Sequence, residues 1–271
     1  EAVEAAWARI ATNLADCITD PADIAPLRQT ILQLAMRGRL VPQDPKDEPA
    51  SEVQSRDTDL SGSQSPFDIP AGWTWGSLVN AAEEIVDCPH STPKWTESGK
   101  ICVKTTEMNA RYLDIAKSKF VSEATFQERI RRLKPQHNDI LYCREGQVGK
   151  ACRVPPNTEL CLGQRMMLIR PAKWVLPEFL EYVLDSPYQA ERVRSRITGM
   201  TAPRVNVKMV KDYWVPVPPL PEQRRIVAKM GELLAICDEL EQRLTEVKTH
   251  QSAFAAAAVH HLDLAQESQP V

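Results

Sequence analysis

Ten residues near the end of the chain constrain its fold more than any others. Ile226, Met230, Leu233, Cys237, Leu240, Leu244, Val247, Gln251, Phe254 and Ala258 recur at alternating spacings of four and three. This is a heptad seam, broken by one polar residue, and a helix carrying it cannot bury its stripe alone; it needs a partner helix. Gln251, if buried, restricts the register of that pairing; at a frayed end it does nothing. The seam covers 33 residues, a rod of about 50 Å at ~1.5 Å per residue. Ahead of it, PVPPLPEQ (216–223) starts the helix, with Pro221 near the first turn and Glu222 placed to favour the helix dipole.

At the other end, Val3, Trp7, Ile10 and Leu14 repeat at helical spacing, and Asp20-Pro21 stops that helix. Asp23 can cap a second helix, with Pro26 in its first turn, a stripe of Leu27, Ile31 and Leu34, and Gly38 as its C-terminal cap. Residues 1–40 therefore read as a helical hairpin, and 41–66, rich in Pro, Ser and Asp without apolar periodicity, as a surface linker. In 67–218, ICVK (101–104), DILYC (139–143), ACRV (151–154) and MMLIR (166–170) read as short strands bounded by turn residues. The stretch 177–197 reads as helices interrupted at Pro187, and YWVPVPPL (213–220) as an edge strand or connector, because its prolines forbid a central strand. The expected fold is α+β: one mixed α/β domain (67–218) between the N-terminal hairpin and a long C-terminal coiled-coil helix (219–262), with a tail at 263–271.

Net charge is −3, but its distribution matters more than its sum. Residues 67–218 hold 22 Lys and Arg against 17 Asp and Glu, a surplus of five, and the flanks are acidic. Local charge governs contact with phosphate, so the middle domain is the candidate for a polyanionic partner. No run of eighteen apolar residues exists to span a membrane, and no signal peptide is visible. The seven cysteines form no C-x-x-C pair and read as reduced, mostly buried thiols of a cytoplasmic protein. Cys88 and His90 lie two apart, but no second ligand pair follows at zinc-finger spacing, so neither metal nor cofactor is expected. Enzyme motifs are missing: GQVGK (146–150) is too short for a phosphate-binding loop, and neither H-E-x-x-H nor G-x-S-x-G occurs. Asp139 and Glu145 could in principle hold Mg²⁺, but scattered acids beside a strand read as ordinary surface residues.

Several segments resemble one family. LRQTILQLAMRGRLVPQDPKDEPASE (27–52) resembles the conserved region of type I restriction-modification specificity (S) subunits, and IPAGWTW (69–75) the lead-in to their target recognition domain. NDILYCREGQVGKACRV (138–154), LGQRMMLIRP (162–171) and VPVPPLPEQRRIVAKM (215–230) resemble that domain's core and exit. The resemblance implies a non-catalytic subunit that reads a bipartite sequence in double-stranded DNA for methyltransferase and restriction subunits. Family members carry two target recognition domains; this chain carries one, as a natural half-subunit, a truncated product or a fragment would. A half-length subunit implies a head-to-tail homodimer, its long helices spacing two reading heads about one DNA turn (~34 Å) apart. Two other readings stay open: a structural adaptor that docks methyltransferase subunits without reading DNA, and the specificity fragment of a fused methyltransferase-nuclease. The basic middle domain favours DNA reading over the first, and the 27–52 region favours a multi-subunit system over the second.

Arg and Lys serve phosphates, Arg reads guanine, and Asn and Gln read adenine. The candidates follow the strands: Lys104, Thr105, Asn109 and Arg111; Arg144, Gln147 and Lys150; Gln164 and Arg165; Arg204, Asn206 and Lys208. To these are added Lys94 beside Trp95, Arg131 and Arg132 of the cluster Arg129–Lys134, and Arg192 and Arg196 on one helix face. Arg144 and Arg165 lie in family-common segments, so core or backbone roles compete with sequence reading. Trp73, Trp75, Trp174 and Trp214 are expected in the core.

Overall fold

A capping box starts the first helix. Asp20 accepts from the Ala22 N–H (2.9 Å), and Asp23 reaches back to the Asp20 N–H (2.9 Å), closing a 3-10 turn that runs into α1 (Ile24–Met36). Asp20 rather than Asp23 holds the cap position, because Pro21 lacks an N–H to satisfy and its fixed φ suits a first turn. This computed structural model describes residues 18–50, 65–109, 111–195 and 203–267, with side chains through 258. The expected helix through Val3, Trp7, Ile10 and Leu14 lies outside them.

Gly38 ends α1 at φ +64°, and the Arg39 N–H returns to the Leu34 carbonyl (2.9 Å). Pro70 covers this glycine so closely that an added Cβ would lie 2.4 Å from its Cγ. Gly38→Ala combines a left-handed alanine with an overpacked contact and is expected to cost about 2–3 kcal/mol. A urea midpoint within error of wild type would show that Pro70 moves aside freely.

The chain continues through β1 (Thr74–Ser77), α2 (Leu78–Ala81), β2 (Ala82–Asp87), β3 (Trp95–Thr96), β4 (Lys100–Val103), β5 (Met108–Asn109), β6 (Tyr112–Leu113) and β7 (Lys119–Val121). Then come α3 (Glu123–Ile130), β8 (Ile140–Cys143), β9 (Ala151–Arg153), β10 (Leu160–Leu162), β11 (Met166–Pro171), α4 (Pro177–Leu184), α5 (Pro187–Arg194), α6 (Val207–Lys211), β12 (Trp214–Val217) and α7 (Leu220–Glu267). The α+β class holds, as do the four expected strands and the helix break at Pro187. Among the described residues no helix is long and apolar enough to cross a membrane.

Residues 32–229 form one compact unit, and 1–31 with 230–271 another. In the first, an antiparallel sheet (β2-β11-β8-β9) and a mixed sheet (β10-β4-β7-β3) enclose one core. Strand alternation builds it: Val103, Leu160 and Leu162 face that core, while Cys102 and Cys161 face a smaller cluster with Val121 and Phe126 of α3. β12 pairs only with β1, in a two-stranded ribbon that sets Pro216 opposite Trp75 and so tolerates the missing N–H. Trp75, Trp214, Phe67 and Tyr188 pack edge to face around the ribbon; of the four tryptophans expected in the core, Trp73 and Trp214 are buried and Trp75 and Trp174 half-buried. Glu222, in the first turn of α7, is buried and accepts from Trp73 Nε1 (2.9 Å) and Gln43 Nε2 (2.6 Å). Burial pushes its carboxyl up, against the pull of those two hydrogen bonds.

In the second unit, α1 and α7 run antiparallel. Arg28 ion-pairs with Asp238 and with Glu241 (2.6 Å), and Asp20 with Lys248 (2.5 Å), so rising numbers on one helix meet falling numbers on the other. Exposed pairs of this kind contribute at most about 1 kcal/mol each, so the apolar stripe carries the pairing. Ile24, Ile31, Met230, Leu234 and Cys237 are buried. The seam departs from expectation in two respects. Leu234 is buried where Leu233 is only half-buried, and beyond Leu244 the stripe opens: Val247 is 51% and Phe254 78% exposed, with Gln251 exposed between them.

Candidate nucleic-acid interface

Strand order gathers the loops. Met166 lies opposite Cys143, Met167 opposite Asp87 and Ala151 opposite Tyr142, so β2 and β8 end where β9 and β11 begin. The parallel strands β4 and β10 end nearby, because the Gly163 N–H donates to the Val103 carbonyl (2.7 Å) and only 163–165 separate β10 from β11. The loops 88–91, 104–107, 144–150 and 163–165 thus share one end of the unit. Segment 203–206 joins them: the Val205 N–H donates to Arg144 O (2.9 Å) and the Gly146 N–H to Pro203 O (3.0 Å).

Arg144 is the hub. It is only 7% exposed, and its guanidinium donates to Asp87 (2.8 Å), Glu145 (2.8 Å) and His90 Nδ1 (3.1 Å). Burial works against its charge, but the Asp87 hydrogen bond and the charges of Asp87 and Glu145 outweigh it and raise its pKa. Arg129 is buried too, donating to Ser91 O (2.6 Å), Leu162 O (2.9 Å) and Gly163 O (3.3 Å). Arg132 donates to Asp87 O (3.1 Å), and Gln164 to His90 O. Four side chains thereby fasten 87–91 from different directions.

The fastened loops line a cavity of about 490 Å³ bounded by Asp87, His90, Arg144, Glu145, Arg204 and Asn206. Arg204 lines it and is exposed, and the exposed Arg165 and Lys208 adjoin its Glu145 and Asn206. Arg165 adopts φ +70°, a left-handed conformation uncommon outside glycine, and its side chain is 56% exposed, 3.7 Å from Glu145. Asn206 spends its oxygen capping α6 through the Lys208 N–H (2.9 Å).

The remaining candidates divide. Lys104 pairs with Glu107 (3.0 Å), Thr105 is half-buried and Asn109 is exposed. Lys150 Nζ donates to Met108 O (3.5 Å), and the Gln147 amide oxygen is buried without a hydrogen-bond partner. Arg111 ion-pairs with Asp185, and Arg192 donates to the Tyr188 hydroxyl (2.9 Å), so both are braces rather than open cations. Lys94 precedes β3, whose register through Val121 to Lys100 sets it toward the other end of the mixed sheet. Arg131 is exposed, and Arg196 lies outside the described residues. Arg144 is walled in by Asp87, Glu145 and the 203–206 segment, the core role that competed with sequence reading, and Arg129 of the basic cluster occupies the buried face of α3 beside Phe126. Asp87, His90 and Glu145, which organise the site, are not among the DNA-contact candidates; His90 and Glu145 enter the sequence reading only as possible metal ligands. Acids and one histidine carry no sequence signature for such a role, although Asp87-x-x-His90 directly after a strand marks the place. Among the described residues no cluster of His, Cys, Asp and Glu could hold a metal ion.

Known proteins share this architecture. A crystal structure of the HsdS subunit from Thermoanaerobacter tengcongensis superposes with a TM-score of 0.54 at 20% identity, covering 94% of this chain and 56% of that one. A structure described as the basis of complex assembly and conformational transition of the type I R-M system gives the same TM-score, 0.54, at 19% identity, over 95% of this chain and 57% of that one. The specificity subunit of the type I restriction enzyme EcoAI from Escherichia coli is 27% identical over 268 residues, 84% of this chain. This chain spans 42% of that relative's length. A family model for the type I restriction modification DNA specificity domain matches residues 94–249, more than half of the chain and most of the unit that carries the gathered loops. The chain belongs to the family of type I restriction modification DNA specificity domains.

Proposed function

We propose that this chain reads one half of a bipartite sequence in double-stranded DNA for a cytoplasmic type I restriction-modification complex, and is itself non-catalytic. The observation that carries the reading is the end of unit 32–229, where fastened loops present Arg165, Arg204 and Lys208 around one cavity. Exposed cations on a braced backbone provide phosphate contacts, and loop polar groups provide base contacts. The paired helices of the other unit dock methyltransferase and restriction subunits. The exposed seam residues Val247 and Phe254 support a further step, in which a second copy covers them head to tail and sets the distance between two half-sites.

Selection of bound duplexes from a random pool, by the full chain with its methyltransferase, tests both parts. The expected motif is gapped, and palindromic for the dimer. A non-palindromic motif, or a single monomeric species in sedimentation at micromolar concentration, ends the dimer proposal. Absence of any motif ends the reading itself.

A further inference from the structure

The β5–β6 ribbon sorts its side chains by face. Met108 and Leu113 pair across it and are buried at 0% and 4% exposure, whereas Asn109 and Tyr112 pair across it and are exposed. A period of two turns the first pair to the core and the second outward. Tyr112, at 61%, is the most exposed large apolar side chain among the described residues of unit 32–229.

The ribbon is braced, not loose. Arg111, at φ +59°, donates its N–H to Ala151 O (3.0 Å), and its guanidinium ion-pairs with Asp185 and lies 5.9 Å from the Tyr182 ring centroid. Ala151 opens β9 directly after the 144–150 loop, so the ribbon belongs to the end of the unit where the loops gather.

Resting on the DNA reading proposed above, we infer that this ribbon enters the major groove and that its Asn109–Tyr112 pair reads one A·T base pair. A groove about 12 Å wide admits a two-stranded ribbon. The asparagine amide matches the N6 donor and N7 acceptor of adenine, and the tyrosine ring offers an apolar face to the thymine methyl. Cross-strand partners hold their Cβ atoms about 5 Å apart, close enough to address the two bases of one pair.

Random-pool selection with the full chain and its methyltransferase, run for wild type, Asn109→Ala, Tyr112→Ala and Tyr112→Phe, decides the matter. Wild type is expected to fix an A·T pair, and each alanine variant to lose that preference by roughly tenfold or more. Tyr112→Phe keeps it. Replacing that thymine by uracil weakens wild type and leaves Tyr112→Ala unaffected. Unchanged motifs in both alanine variants overturn the inference while leaving the function standing. So does a Tyr112→Ala loss that is equal for all sequences, the mark of a phosphate contact. A wild type that selects no motif removes the function and the inference together. Thermal melting of each variant confirms that the fold is intact.

Discussion

Arg129→Met is expected to destabilise the chain by about 3 kcal/mol, a large share of the ~5–15 kcal/mol that holds a typical domain together. The guanidinium donates to three carbonyls, those of Ser91, Leu162 and Gly163, and is nearly fully buried. Hydrogen bonds from a charged donor are worth about 1.5–3 kcal/mol each. Burying that charge costs several kcal/mol in return, and Arg129 Nε finds no partner of its own. The net therefore falls well below the sum of three bonds. Methionine removes the charge and its desolvation cost, fills much of the space, and leaves the Leu162 and Gly163 carbonyls unpaired at about 1–3 kcal/mol apiece. With a urea slope of ~1–3 kcal/mol per molar, the midpoint falls by about 1–3 M. Arg131→Ala, two residues along on an exposed position, should stay within about 0.5 kcal/mol. Equal midpoints for the two variants would sink the account.

That contrast shows what the sequence could tell and why it stopped. Four strands were readable because β4, β8, β9 and β11 are apolar runs bounded by turn residues. β3, β5, β6 and β10 were not: two or three residues carry no period, and tertiary pairing alone makes them strands. Along 129–134 the cations look alike as a run. The stripe of Phe126, Ile130 and Leu133 was the available signal, since residue 129 falls on the same helical face. The C-terminal seam was legible as a pattern, whereas the depth of its burial depends on how far α1 reaches.

Legibility of the site was uneven for a related reason. Cations after strands are suspected of meeting phosphate, and Arg204, which lines the cavity, and Arg165, beside Glu145, do stand exposed. Arg144 looks identical in one dimension. Only the antiparallel register that sets β2 beside β11, and β11 beside β8, brings Asp87 to it, opposite its chain neighbour Glu145. A partner fifty-seven residues away in sequence leaves no local trace. Tyr112 carries no signal of its own in the sequence, because it is the ribbon's inward pair, Met108 and Leu113, that reveals which way it faces.

Removing both cavity-rim arginines, as Arg165→Gln with Arg204→Gln, is expected to weaken DNA binding about 10- to 100-fold near physiological salt. Each phosphate neutralised contributes about −0.9 to the slope of log affinity against log salt, so losing two makes it shallower by about 1.8. The Arg165–Glu145 pair, 3.7 Å apart and exposed on the arginine side, is worth at most about 1 kcal/mol and does not hold the arginine back from a phosphate. Glutamine has the same left-handed cost at position 165 as arginine, so the variant changes charge without adding backbone strain. Arg144→Gln makes the informative comparison. Its guanidinium touches Asp87, Glu145 and His90 rather than solvent, so its loss loosens 87–91 and leaves two buried-side acids without their cation. Affinity and sequence preference should fall together in that variant, with the salt slope unchanged. A double glutamine variant that keeps the wild-type slope would place Arg165 and Arg204 outside the DNA contact. An Arg144 variant that flattens the slope would put the buried arginine on the phosphates after all.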